Sequence, residues 1–71
     1  MQTKTPTEIL TLYGFFSGRR NEVLSQMRYR PRQIPPGEYL VWDGEVDPDC
    51  WLLAGNDLEA LAQETREAFN I

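Results

Sequence analysis

Two runs of strand-forming residues within residues 38–54, EYLVWDGEVDPDCWLLA, decide the fold class of this chain. The runs are Glu38–Trp42 and Cys50–Ala54, and both are rich in the aromatic and branched side chains that favour β-strands. A tight turn between them would place acidic residues and Pro48 in the ladder, where they pair poorly. We therefore expect the two runs to form strands joined by an acidic loop at 43–49.

Two helices are expected before this hairpin. The first is predicted at 6–17, because Thr5-Pro6 is a typical helix start and Gly18 suits the residue that follows a last turn. Its apolar residues recur at helical spacing, at Ile9, Leu10, Tyr13 and Phe16. The second helix is predicted at 21–29. A proline-rich connector, residues 30–37, follows it because proline cannot continue a helix.

The chain closes with an amphipathic helix whose start is marked by capping residues. Asn56 can cap this helix, and Glu59, three residues later, completes a capping box. The face expected to be buried contains Leu58, Leu61, Ala62, Thr65 and Phe69. The face expected to point into solvent is acidic and contains Glu59, Glu64 and Glu67.

These elements predict an α+β fold in a single small domain, 1–71, with the order α-α-β-β-α and a two-stranded antiparallel hairpin packed on the helices. The domain comprises a basic helical part (1–32), the connector (30–37) and an acidic hairpin–helix part (38–71). At 71 residues such a domain has a marginal core, and two strands alone are marginally stable. A protein partner or self-association is therefore expected.

The residue types present exclude several kinds of chemistry. One cysteine, Cys50, and no histidine leave no internal disulfide and no Cys/His zinc site within one chain. The acidic loop spaces its carboxylates as a calcium-binding loop does, but Pro48 and Ala54 stand where that motif needs Gly and Glu. We expect no metal, no cofactor, no catalytic residue and no small-molecule substrate. The chain is therefore predicted not to be an enzyme.

Membrane insertion is also not expected. The apolar run Ile9–Phe16 is interrupted and is far shorter than the ~20 residues that span a bilayer. The lone thiol of Cys50 suits a reducing compartment. We therefore predict a cytoplasmic protein that does not associate with a membrane.

Charge is divided sharply between the two halves of the chain. Residues 1–32 carry six of the seven basic side chains against two carboxylates, and residues 33–71 carry nine carboxylates against Arg66. An acidic surface attracts a basic partner, and Trp is enriched among the residues that dominate binding energy. The candidate protein-binding residues are Trp42, Asp43, Glu45, Asp47, Asp49, Trp51, Glu59, Glu64 and Glu67.

The leading functional hypothesis is a small, non-enzymatic interaction module. It would act as a regulator, inhibitor or accessory subunit, similar in physical type to antitoxins and phage-encoded inhibitors. It would bind a protein partner through its acidic loop and last helix.

The alternative hypothesis is a nucleic-acid-binding regulator. Arg groups grip phosphates with two hydrogen bonds, and a neighbouring Tyr can stack on a base. The low isoelectric point of the chain, about 4.6, opposes this function because nucleic-acid-binding domains are usually basic. The residues that would carry it are Arg19, Arg20, Arg28, Tyr29, Arg30 and Arg32.

Overall fold

The computed structural model describes residues 4–27, 31, 33–44 and 51–71. These residues form three helices and three strands. In chain order the elements are α1 (Pro6–Leu12), β1 (Phe16–Arg19), α2 (Arg20–Gln26), β2 (Tyr39–Trp42), β3 (Leu52–Gly55) and α3 (Leu58–Phe69). The α+β class is confirmed.

The sheet has three strands rather than the predicted two. Its order is β1-β2-β3 and both pairs are antiparallel. In the register, Val41 of β2 pairs with Ser17 on one side and with Leu53 on the other. The pairing of β2 with β3 confirms the predicted hairpin. The added strand β1 changes the predicted order to α-β-α-β-β-α.

Strand β1 exists because the first helix ends five residues earlier than predicted. Residue Gly14 has a φ of 89°, a left-handed conformation that glycine adopts readily, and the amide of Phe15 bonds back to the carbonyl of Leu10. These contacts close α1 after Leu12 and turn the chain into an extended segment. Helical spacing of the apolar residues favoured a helix through residue 17, and this prediction is wrong.

Helix α2 begins directly after β1 and is shorter than the predicted 21–29. The amide of Arg20 donates to the carbonyl of Glu38 at 2.9 Å, so the helix starts while the chain is still hydrogen-bonded to the entry of β2. Met27, with ψ at 124°, is already extended and ends the helix at Gln26.

The hydrophobic core has two parts, one on each face of the sheet. Helices α1 and α3 cover one face, and α2 covers the other. The first cluster consists of Leu10, Phe15, Val41, Leu61 and Ala62. The second consists of Val23, Leu24, Met27, Leu40 and Trp42. The sheet therefore lies between two layers of helix, with alternate β2 side chains in different clusters.

The last helix forms as predicted, with two differences at its ends. Asp57, not Asn56, is the cap, and its Oδ1 accepts from the amide of Ala60 at 3.3 Å. The Oδ1 of Asn56 instead accepts from the amide of Glu38 at 3.1 Å, which ties the end of β3 to the start of β2. Phe69 was expected to be buried, but its side chain is 44% exposed because the helix ends there.

A close approach between two glycines sets the spacing at the start of β2. A Cβ built on Gly37 would lie 2.5 Å from the backbone nitrogen of Gly55. Gly37 also has a φ of 152°, and Gly18 has the same φ but only a glutamate side-chain oxygen 3.5 Å from its would-be Cβ. Substitution at Gly18 therefore tests the cost of the backbone conformation alone, whereas substitution at Gly37 adds a steric clash with Gly55.

We predict that Gly37→Ala lowers the free energy of unfolding by roughly 1–3 kcal/mol more than Gly18→Ala does, because only the first substitution forces a methyl group against backbone. Denaturant unfolding of the two variants and the parent protein measures the difference. Equal losses at the two positions would contradict the close approach.

Candidate functional site

The acidic loop is anchored at its base by Asp43. The Oδ2 atom of Asp43 accepts from the amide of Trp51 at 2.8 Å, and the amide of Asp43 donates to the carbonyl of Trp51 at 3.2 Å. These two bonds extend the hairpin one residue beyond the strand pair Trp42–Leu52. Asp43 is half-buried, and these hydrogen bonds give it a structural role in addition to its acidic character. The other loop carboxylates, Glu45, Asp47 and Asp49, lie outside the described residues.

The two tryptophans lie on opposite faces of the sheet. Trp42 is 5% exposed in the α2 cluster, with its ring 5.1 Å from that of Phe16. Trp51 packs against the other cluster, and its Nε1 donates to Thr65 Oγ1 at 3.4 Å. Trp51 is adjacent to Leu52, the partner of Trp42, so the alternation of strand side chains separates the two rings. They do not form one surface, and Trp42 is a core residue rather than part of an exposed patch.

The acidic side chains of α3 lie on its outer face, as predicted. Glu59, Glu64 and Glu67 are exposed, whereas Leu61, Ala62 and Thr65 are buried. Two of the carboxylates also have weak local contacts: Thr7 Oγ1 donates to Glu59 Oε1, and Gln63 Nε2 donates to Glu67 Oε1, both at 3.4 Å. The outer face of α3 therefore presents negative charge to solvent.

The basic candidates Arg19 and Arg20 have different surroundings. Arg19 has a side chain that is 66% exposed and forms an ion pair with Glu38 at 3.6 Å. Arg20 is half-buried, and its Nη1 donates to the carbonyls of Pro35 at 2.6 Å and Gly37 at 3.4 Å. Arg20 therefore holds the connector against the start of α2. The remaining members of the basic set, Arg28, Tyr29, Arg30 and Arg32, lie outside the described residues.

An open cleft that the sequence interpretation missed lies between the ends of α1 and α3. It has a volume of about 350 Å³. The ring of Phe69 is 5.1 Å from that of Phe15 and 5.2 Å from that of Trp51, in edge-to-face geometry in both cases. The residues that line the cleft are Tyr13, Phe15, Asp43, Phe69 and Ile71.

Two glycine turns bring the parts of this cleft together. A Cβ built on Gly44 would lie 3.2 Å from the carbonyl oxygen of Gly14, so the turn after α1 lies against the turn after β2. The adjacent residues are consequently neighbours: Tyr13 and Phe15 beside Asp43. The signal in the sequence was Gly14, because a helix that ends there places Tyr13 at the surface and Phe15 in the core. Tyr13 is 62% exposed.

Among the residues that the structure describes, no cluster of three or more His, Cys, Asp or Glu side chains has an arrangement that would hold a metal ion. None of the helices described above combines the length and the apolar character that crossing a bilayer requires.

Comparison of the chain with protein-family models, with curated proteins and with solved structures finds no match.

We predict that the two adjacent arginines contribute unequally to stability. Arg20→Gln should lower the free energy of unfolding by about 1–2 kcal/mol, because it removes charge-assisted hydrogen bonds to two carbonyls. Arg19→Gln, the matched control, should cost less than about 0.5 kcal/mol because exposed ion pairs are weak. Thermal or denaturant unfolding of both variants measures this. A larger loss at position 19 than at position 20 would show that Arg20 is not the anchor of the connector.

Proposed function

We propose that this protein is a non-enzymatic interaction module that binds a basic surface on a protein partner. The observation that carries the proposal is the outer face of α3, where Glu64 and Glu67 are exposed. The helix ends at Phe69, which is 44% exposed. Charged residues arranged around exposed aromatic side chains are typical of the rim and centre of a protein interface.

The apolar surface beside this helix supports the same function. Leu12, Tyr13 and Phe69 are exposed by 67%, 62% and 44%, and they lie at the ends of two helices that pack on each other. Single exposed apolar residues are ordinary, but a group of large ones beside a charged face marks a binding surface. A small domain also gains stability when a partner covers such a surface.

The acidic residues that follow β2 in the sequence fit the same proposal. Asp43 is one of the residues that line the cleft beside the end of α3. The sequence that follows adds Glu45, Asp47 and Asp49. Negative charge on both segments of the sequence would attract a basic partner. The role proposed for the protein is that of a regulator, inhibitor or accessory subunit that occupies its partner's surface.

A cytoplasmic location is part of this proposal. It rests on Cys50, because a single thiol without a disulfide partner in the chain suits a reducing compartment.

We predict that Glu64→Gln/Glu67→Gln weakens partner binding by roughly 3- to 30-fold, because rim charges act on the association rate and on its salt dependence. The partner is first captured from a lysate of the source cells, treated with nuclease, and then purified. Its dissociation constant is measured by surface plasmon resonance at two salt concentrations for the parent protein and for the variant.

The matched control is Glu8→Gln/Glu22→Gln, which removes two exposed carboxylates from α1 and α2. It should leave the affinity within about twofold, because it changes only the long-range electrostatic attraction, which salt screens. Equal weakening by the two double variants would mean that net charge, not the α3 face, determines binding. Loss of capture after nuclease treatment would contradict the proposal and favour the basic segment, with Arg28, Tyr29, Arg30 and Arg32, as the site.

A further inference from the structure

We propose that the cleft between the ends of α1 and α3 accepts an arginine side chain of the partner. The inference deepens the proposed function and rests on it, because it names the chemical group that the acidic surface recognises. The cleft is lined by three aromatic residues, Tyr13, Phe15 and Phe69, together with Ile71 and the acidic residue Asp43.

The lining of the cleft favours a cation with a flat apolar face. Aromatic rings attract a positive charge through the negative potential of their faces. A guanidinium group is planar and weakly hydrated, so it stacks on such rings more readily than an ammonium group does. Tyr13 is 62% exposed and Phe69 is 44% exposed, so both residues can be contacted from solvent.

The charge of the cleft fits the same group. Asp43 is the acidic residue in the lining, and its Oδ2 accepts from the amide of Trp51 at 2.8 Å. Arg66, the basic residue in the last turn of α3, donates from Nε to the carbonyl of Ile71 and from Nη1 to Gln63 Oε1. Arg66 itself is not among the residues that line the cleft, although the Ile71 carbonyl that it contacts belongs to one that is.

The size of the cleft agrees with a side chain as occupant. Its volume of about 350 Å³ is at the lower end of ligand sites, which span about 300–1,000 Å³. One side of the space is open to solvent, as a site filled from a partner's surface must be. Rings already packed edge to face, Phe15 on Phe69 and Phe69 on Trp51, also reduce the entropy lost on binding.

The probe for this proposal is the peptide acetyl-Gly-Arg-Gly-amide, compared with two versions that carry citrulline or norleucine in place of arginine. Citrulline has the shape of arginine without its charge, and norleucine has only an apolar chain. In amide-detected NMR titrations of the full chain, the arginine peptide should shift the signals of Tyr13, Phe15, Asp43, Phe69 and Ile71. Its dissociation constant should be on the order of millimolar, as expected for one exposed group. The citrulline and norleucine peptides should bind roughly 3- to 30-fold more weakly.

Three variants locate the site. Asp43→Asn keeps an oxygen that can accept from the amide of Trp51 and removes the charge, and Tyr13→Ala removes an exposed ring. Each substitution should weaken binding of the arginine peptide by roughly 3- to 30-fold. Leu12→Ala, the control, changes an exposed apolar residue that does not line the cleft and should leave binding within about twofold, since it removes no aromatic face and no charge. Thermal unfolding of each variant confirms that the fold is retained.

The outcomes separate this inference from the proposed function. Glu64→Gln/Glu67→Gln should weaken binding of the whole partner protein. The NMR shifts caused by the arginine peptide should remain unchanged in this variant. Failure of the inference would appear as equal binding of the three peptides, as shifts elsewhere, or as no binding at millimolar concentration, even if a basic partner is captured. Concentration-dependent dimerisation that Tyr13→Ala abolishes would also overturn it, because the occupant would then be a second copy of this chain.

Discussion

The structure depends on one four-residue strand that is buried on both faces. In β2, Leu40 and Val41 are each 0% exposed, and they belong to different hydrophobic clusters. Fully burying a leucine or valine contributes roughly 1.5–3 kcal/mol, a large share of the stability that a domain of this size can have. Both neighbouring strands and the helix layers on both sides therefore pack around a strand without a solvent-facing side.

This constraint determines where aromatic and charged residues lie. A strand with two buried faces sends Trp42 toward α2. Trp51, one residue before β3 and its Leu52, packs toward α3 instead. Charged side chains are absent from both clusters among the described residues. The aromatic rings that reach solvent, Tyr13 and Phe69, do so where α1 and α3 end, beside Asp43. The proposed interaction surface is therefore a consequence of how the two helices terminate.

Local signals predicted much of this fold, and non-local pairing accounts for what they missed. The start of α1 at Pro6, the strands of the hairpin and helix α3 follow from caps and apolar runs that can be read within a few residues. Strand β1 is different, because Phe16–Arg19 becomes a strand by pairing with β2, whose partner residues are 20 to 26 positions away in the sequence. Asn56 shows the same effect at a cap, since its amide oxygen is used by Glu38. Within the candidate site, the exposure of the α3 carboxylates was predicted, whereas the cleft depends on contact between two turns that are distant in sequence.

The end of α1 at Leu12 is the claim on which the sheet and the cleft both rest. Backbone NMR tests it directly, through secondary chemical shifts and cross-strand NOEs over residues 13–19. The account predicts extended shifts at 16–19 and NOEs that join Ser17 to Val41 and Gly18 to Leu40, as in the observed register. Helical shifts that continue through Ser17, without cross-strand NOEs, would contradict it.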